Sequence, residues 1–429
     1  MSATSVFETA SGSEQRLRPR GRFNPRVPES VEDLGVSQNT LVNLMLKMTM
    51  LEGETRLSLL SQRLKVHPSV TAQVFNHLRK EHLVEVKGMM GNDYTLTLTN
   101  TGRQIAQDRY SISQYVGPAP VTLDAYSTAV RRQAAKHRIN RTKLQEVFHD
   151  LVLPDDILDQ LGPAIISNSQ IFLYGSTGNG KTSIAERLVR LFKDEIFIPY
   201  AVEVDSQIIN VYDSVVHHPL DPLDGQDPRW IRCTRPTIAV GGEMVPEMLE
   251  LRFESTLGFY TAPLQMKANN GLFIIDDFGR QMINPRDLLN RWIVPLDRGV
   301  DFLTLRTGMK IPVPFETLVV FSTNLDPRQL ADEAFLRRIQ NKVKIDTVSP
   351  EVFDAILKGV CEAEGVPWTP EACVYVRDKC RIDGRKVVLR ACYPRDIVYI
   401  VKNIAEYESR DPELSESDVD RAVNLYFAR

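Results

Sequence analysis

The chain has no apolar run approaching the ~20 residues a bilayer-crossing helix needs, which excludes a helical membrane protein. Its opening residues, MSATSVFETASGSEQ, have neither the basic start nor the apolar middle of a secretory leader, so a cytoplasmic protein with no membrane partner is expected. Cysteine is scarce. Cys233, Cys361, Cys373, Cys380 and Cys392 show no CxxC or Cys/His spacing, which excludes a disulfide framework or a zinc ribbon and leaves reduced packing residues. Charge of neither sign is in excess: 52 Lys and Arg face 55 Asp and Glu, and a formal charge of −3 gives no global pull toward nucleic acid. His217 and His218 adjoin, but no third ligand stands at a workable spacing, so a loop explains them better than a metal.

What the chain does have is length and a sharply punctuated centre. At 429 residues it is long for one core, and roughly two to four compact units are expected. Gln170 to Ser183 read QIFLYGSTGNGKTS: a short apolar run, a glycine turn, then a helix opening at Lys181 and Thr182. Gly175, Gly178 and Gly180 let the backbone wrap so that the N–H groups of Gly175, Ser176, Thr177, Gly178, Asn179, Gly180, Lys181, Thr182 and Ser183 can face one anion. Lys181 can reach terminal phosphates, and the Thr182 hydroxyl is placed for Mg²⁺. This is a phosphate-binding P-loop, and it predicts ATP and Mg²⁺ as the ligands.

A second signal is LFIIDD, Leu272 to Asp277. Four apolar residues predict a buried parallel strand that delivers Asp276 beside the loop, where it would hold the Mg²⁺ shell, while Asp277 orients or deprotonates the attacking water. Alone, such a doublet could merely cap a turn. A third strand, Thr317 to Ser322, ends in Thr323-Asn324, whose amide can reach a γ-phosphate or the water. After the helix that follows the loop, Phe197 to Val204 reads as a second strand of the core.

GSTGNGKT, LFIIDD, VVFSTN, EAFLRRI (Glu333 to Ile339) and YPRDI (Tyr393 to Ile397) resemble, in order, Walker A, Walker B, sensor 1, the arginine-finger segment and sensor 2 of the AAA+ ATPases. The likeness runs from about Leu151 to the C-terminus. It implies a P-loop NTPase parallel sheet with a C-terminal four-helix lid, self-association as a ring, usually hexameric, and ATP hydrolysis between subunits. On that pattern Arg337 or Arg338 reaches the neighbour's γ-phosphate and Arg395 touches the phosphates of its own subunit. VDFLTLRTGMKIPVPFETLVV reads as a β-hairpin about Thr307-Gly308 and resembles the pre-sensor-1 hairpin of MoxR-type chaperones and bacterial enhancer-binding ATPases; Arg306 and Lys310 would then face a pore, with Gly241 to Met244 as a second loop. Two departures stand out. Asp277 replaces the usual Glu, and no GAFTGA segment is present.

Five regions follow: a disordered basic tail (1–35), a winged helix-turn-helix domain (36–117), a linker helix (118–150), the ATPase core (151–348) and the helical lid (349–429). Three helical patterns between Val36 and His82, then two alternating runs around Gly88 to Asp93, resemble a winged helix whose recognition helix is Ser69 to Lys80. The expected fold class is thus α/β with an N-terminal winged helix. The wing holds only Lys87 against Glu85 and Asp93, so DNA and an unknown protein client stay open as its partner. The resulting expectation is a chaperone-like ATP-driven remodeller; the alternative is a DNA-bound regulator that uses ATP as an assembly switch.

Overall fold

The computed structural model describes residues 23–91, 93–135, 139–167, 170–330, 337, 339–381 and 388–427. Its centre is a five-stranded sheet in the order Thr237–Val240, Leu272–Ile275, Leu318–Thr323, Ile171–Tyr174, Asn341–Lys344, parallel throughout. Such strands are covered on both faces, which is why LFII and LVVFST read as unbroken apolar runs rather than alternating ones. One face packs Leu161, Ile165, Ile184 and Leu188, from the helices Asp155–Ile166 and Lys181–Arg187 and the turn after them, on Leu173, Ile274 and Val320. On the other, the helix Pro285–Arg298 buries Trp292 among Phe273, Phe315 and Phe321, with ring centroids 5.3 to 6.3 Å apart. Each large side chain buried this way contributes about 1.5–3 kcal/mol.

The run Phe197 to Val204 does not join this sheet. It divides at Tyr200 into Glu195–Pro199, which pairs antiparallel with Trp230–Thr234, and Ala201–Val204, which pairs with Gln207–Asn210. Pro199 lacks the N–H that a central ladder requires, and the strand beside Leu272–Ile275 comes instead from Thr237–Val240. A second, mixed sheet runs Arg252–Glu254, Phe259–Thr261, Gln207–Asn210, Ala201–Val204, Val121–Thr122. Its core takes in the hairpin Val300–Thr304 and Lys310–Pro314 through Leu303, Leu305, Ile311 and Val313. The hairpin turns at Gly308 (φ +84°) as its sequence requires. Arg306, however, is pinned: its guanidinium lies 4.5 Å over the Phe253 ring and its N–H donates to Tyr260 Oη at 2.9 Å, whereas Lys310 is exposed. Gly241 to Met244 likewise ends on the fully buried Met244.

The stretch 118–150 is more than a linker helix. It supplies the edge strand Val121–Thr122, then the helix Leu123–Arg132, whose Tyr126, Ala129 and Val130 are core, then the helix Arg141–Val147. Within 1–35, residues up to 22 lie outside the described ones, but from Phe23 onward the chain is docked rather than disordered. Phe23 meets Trp230 and Phe197 edge-on (centroids 5.3 and 6.1 Å) beneath Arg132, and the Asp227 N–H donates to Pro25 O at 2.9 Å. Aromatic burial outweighs the polar composition there.

Residues 36–117 hold the helices Gln38–Glu52, Leu57–Leu64 and Pro68–Lys80, an antiparallel hairpin Val84–Met90 with Asp93–Leu98, a short third strand Glu54–Arg56, and the helix Asn100–Ile112. Their core, including Leu44, Leu60, Val74, Phe75 and Leu96, also takes in Ala201 and Ile208 from the second sheet. Thr40 Oγ1 donates to Glu203 Oε1 at 2.7 Å across the same junction. At the other end the helices Pro350–Glu364, Pro370–Cys380, Tyr393–Tyr407 and Glu416–Tyr426 share one core. Ser349 and Thr369 cap two of them, accepting from Val352 and Ala372 N–H with proline at the first helical position.

Candidate functional site

All five strands of the central sheet end at one edge, which carries the glycine loop, Asp276, Asp277 and Asn324. The loop after Ile171–Tyr174 needs its glycines for stated reasons. Gly175 has φ +135°, and a Cβ there would stand 2.2 Å from Ile345 O; Gly178 has φ +79°, and a Cβ would stand 2.6 Å from Cys392 Sγ. Gly180 (φ +87°) leads into the helix Lys181–Arg187 with open space beside it. Asn179 is 5% exposed and braces the loop, donating to Ser176 Oγ at 2.8 Å and accepting from the Ala391 N–H at 3.3 Å. Ser176 and Ser183 are half-buried and Thr177 is exposed. Lys181 folds back on the loop, donating to the carbonyls of Gly175 and Ser176 at 2.9 Å each. Burial holds its ammonium below the ordinary lysine value, against the opposing pull of Asp276 and Asp277.

The decisive contact joins the two motifs. Thr182 Oγ1 lies 3.1 and 2.9 Å from the two carboxylate oxygens of Asp276. The strand Leu272–Ile275 delivers Asp276, whose N–H is tied to Val240 O at 2.8 Å. Asp277 follows, exposed and with φ +48°. Asn324 leaves the strand Leu318–Thr323, which lies between the loop strand and the acid strand, and its buried Oδ1 has no hydrogen-bond partner among the described residues. Phe278 is fully buried between Phe172 and Phe321 (6.0 and 5.1 Å), and Thr323 Oγ1 donates to its carbonyl at 2.6 Å, so the turns carrying Asp277 and Asn324 are fastened together.

The remaining arginines divide. Arg337 is exposed, Arg338 lies outside the described residues, and Arg395 is exposed on the first turn of Tyr393–Tyr407. The arginine that reaches the loop is Arg390, which sequence reasoning missed: its Nη1 is 3.4 Å from Thr177 Oγ1, and its guanidinium stands 5.8 Å from the Tyr393 ring centroid. Beside it the Cys392 N–H donates to Gly178 O at 2.9 Å. The motif YPRDI that follows marks the helix Tyr393–Tyr407, but nothing in the turn Arg390-Ala391-Cys392 announces a role. Gln281, also missed, crosses the turn after Asp277.

A nucleotide with Mg²⁺ fits these residues. The glycine turn forms an anion cradle, Thr182 and Asp276 offer the paired oxygens a hard cation takes, and Asn324 Oδ1 awaits a partner. No cluster of three or more His, Cys, Asp or Glu suited to a metal occurs among the described residues. His217 is structural: its Nδ1 accepts from the Asp213 N–H (3.0 Å) and its Nε2 donates to Lys267 O (2.9 Å). All five cysteines are free. No helix among the described residues is long and apolar enough to cross a membrane.

Residues 349–425 match the family model described as a domain of unknown function (DUF8689). No curated protein matches the chain. Among solved structures it is similar to NtrX from Brucella abortus at 11% identity and a TM-score of 0.37, covering 74% of this chain and 60% of that one. A lysine-to-arginine mutant of Thermotoga maritima RuvB gives 11% identity and a TM-score of 0.40 over 64% of this chain and 69% of that one. The RuvB Holliday junction branch migration motor gives 11% and 0.36 over 68% and 72%. The chain thus spans less than two thirds of the length of NtrX.

Proposed function

We propose that the chain is an AAA+ ATPase that binds ATP with Mg²⁺ and hydrolyses it to remodel a partner protein. The observation that carries this is the Thr182 to Asp276 contact, because a P-loop hydroxyl and a strand-end carboxylate sharing one cation is the arrangement phosphoryl transfer requires. Bound Mg²⁺ would neutralise charge developing on the phosphates. Lys181, released from the Gly175 and Ser176 carbonyls, would pair with the terminal phosphates. Asp277 would hold the attacking water, and Asn324 would fix its direction. Arg337 or Arg338 from a neighbouring copy in a ring would complete the site, as in related enzymes where such a residue supplied in trans is worth ~10³ to 10⁵ in rate. Arg390 stands at Thr177 from the turn before Tyr393–Tyr407, Arg395 on the first turn of that helix would touch the phosphates, and the C-terminal helices would act as the lid.

The winged-helix reading of 36–117 is supported by its helices and hairpin, and its surface favours a protein client over DNA. Val86, Met89 and Met90 are exposed along the hairpin, and Lys87 is paired with Glu85 at 3.0 Å. Segment 29–34 lies against the start of Pro68–Lys80: Ser69 Oγ bonds to Glu29 O, and the Val31 N–H donates to Gln73 Oε1 at 3.1 Å. The test is an ATPase assay on the full chain. Lys181→Ala should lose nucleotide affinity and Asp276→Asn should lose Mg²⁺-dependent turnover; rates equal to wild type in both would remove the proposal.

A further inference from the structure

Beyond Asp276 the chain makes a tight turn whose shape is set by one side chain. Asp277 has φ +48°, in the left-handed region that Asp and Asn tolerate better than longer residues. The Gln281 amide spans the turn. Its Nε2 donates to the carbonyls of Asp276 (2.8 Å) and Asp277 (3.2 Å), and its Oε1 accepts from the Gly279 N–H (2.8 Å). The Arg280 N–H closes onto Asp277 O at 3.0 Å, and the Phe278 N–H donates to Ser322 O at 2.7 Å. Residue 277 is therefore held from both sides through its backbone, while among the described residues no hydrogen bond holds its carboxylate.

Resting on the ATPase reading above, we infer that Gln281 is a positioning residue: it keeps residue 277 left-handed, and this backbone, rather than side-chain length, aims the second carboxylate. The same conformation accounts for aspartate where the resemblance implies glutamate. A left-handed residue directs its Cβ differently from an extended one, and a longer side chain launched from it carries its carboxylate past the water. Among the described residues no hydrogen bond joins the half-buried Gln281 to Thr182 or Lys181, so its loss leaves the glycine loop's own bonds in place.

The test is a kinetic double-mutant cycle on the full chain. Gln281→Ala and Asp277→Glu should each lower kcat on the order of 10- to 100-fold, the scale of a catalytic group displaced by about 1 Å. Neither should change the Kd of a fluorescent ATP analogue. Gln281→Glu retains the acceptor for Gly279 but not the donor to the two carbonyls, and should behave like Gln281→Ala. In Asp277→Glu, adding Gln281→Ala should cost little more, since both changes disturb the same aim. Independent, multiplying effects, or full turnover in Gln281→Ala, would overturn the inference and leave the ATPase reading standing. A crystal structure of Gln281→Ala that keeps positive φ at residue 277 would do the same. A wild-type chain without turnover would remove both.

Discussion

Gly178 is where the loop meets the C-terminal helices, and Gly178→Ala tests that junction. The new methyl would stand 2.6 Å from Cys392 Sγ, and relief to an ordinary contact requires a retreat of roughly 1 Å. A non-glycine residue at φ +79° costs about 1–2 kcal/mol in backbone strain. If the 390–392 turn withdraws, the Cys392 N–H to Gly178 O bond (2.9 Å) and the Ala391 N–H to Asn179 Oδ1 bond (3.3 Å) weaken, at about 1 kcal/mol each. The total is about 3–4 kcal/mol. Native-state hydrogen exchange reads it locally, which suits a chain of several units, and the Ala391 and Cys392 amides should lose protection on the order of 10²-fold. Cys392→Ala removes the obstructing sulfur, so in the double variant the steric share should return, a coupling of about 1–2 kcal/mol. Unchanged protection in Gly178→Ala, or no recovery on adding Cys392→Ala, would refute this account of the junction.

Three further outcomes are expected. Burial holds His217 below the ordinary histidine value, and only the neutral ring can accept from the Asp213 N–H, so the unfolded chain takes up the proton first. Stability is then complete above about pH 6.5 and falls as pH drops below it; the urea midpoint followed from pH 8 to 5 should show this, and a flat profile would contradict it. Lys47 is 3% exposed, donates to Ser113 O and Tyr115 O, and is pushed down to about 8 by burial. Between pH 8 and 10 the unfolded chain holds the extra proton, so this lysine's own contribution should rise with pH by about 1 kcal/mol per unit against the falling contribution of buried cysteines such as Cys233 and Cys361, and the stability of wild type minus that of Lys47→Met, followed over that range, should show it; a difference that does not change with pH would contradict it. Phe278→Ala should cost about 3–5 kcal/mol and, by loosening the Asp277 turn, lower turnover more than ATP affinity, as kcat and Kd measured side by side would reveal.

The parts of this molecule that were legible in its sequence are those fixed by local chemistry. Glycines at 175, 178 and 180 have positive φ, Asp276 meets Thr182, and Ser349-Pro350 and Thr369-Pro370 start helices where their capping chemistry says they should. Pairing between distant strands was not legible. Phe197 to Val204 has the apolar look of a core strand, and only Pro199 hints that it belongs elsewhere. Arg390 escaped notice because its role depends on a helix folding back onto a loop more than 200 residues earlier in the chain, a contact without periodicity. Gln281 escaped for a different reason: its three bonds are local, to residues two to five positions earlier, but they depend on the shape of a turn that the residue types do not announce. Composition misled most at Phe23, where a polar, arginine-rich stretch conceals one aromatic anchor.

That anchor bears on where the protein can be cut. Trimming the leader at Glu32, as its composition invites, would strip the ring from the Trp230 and Phe197 edge and the acceptor from the Asp227 amide, leaving a greasy notch open to water. A shortened expression product should therefore begin before Phe23. One that begins after it would be expected to clump in the tube for a reason unrelated to its chemistry.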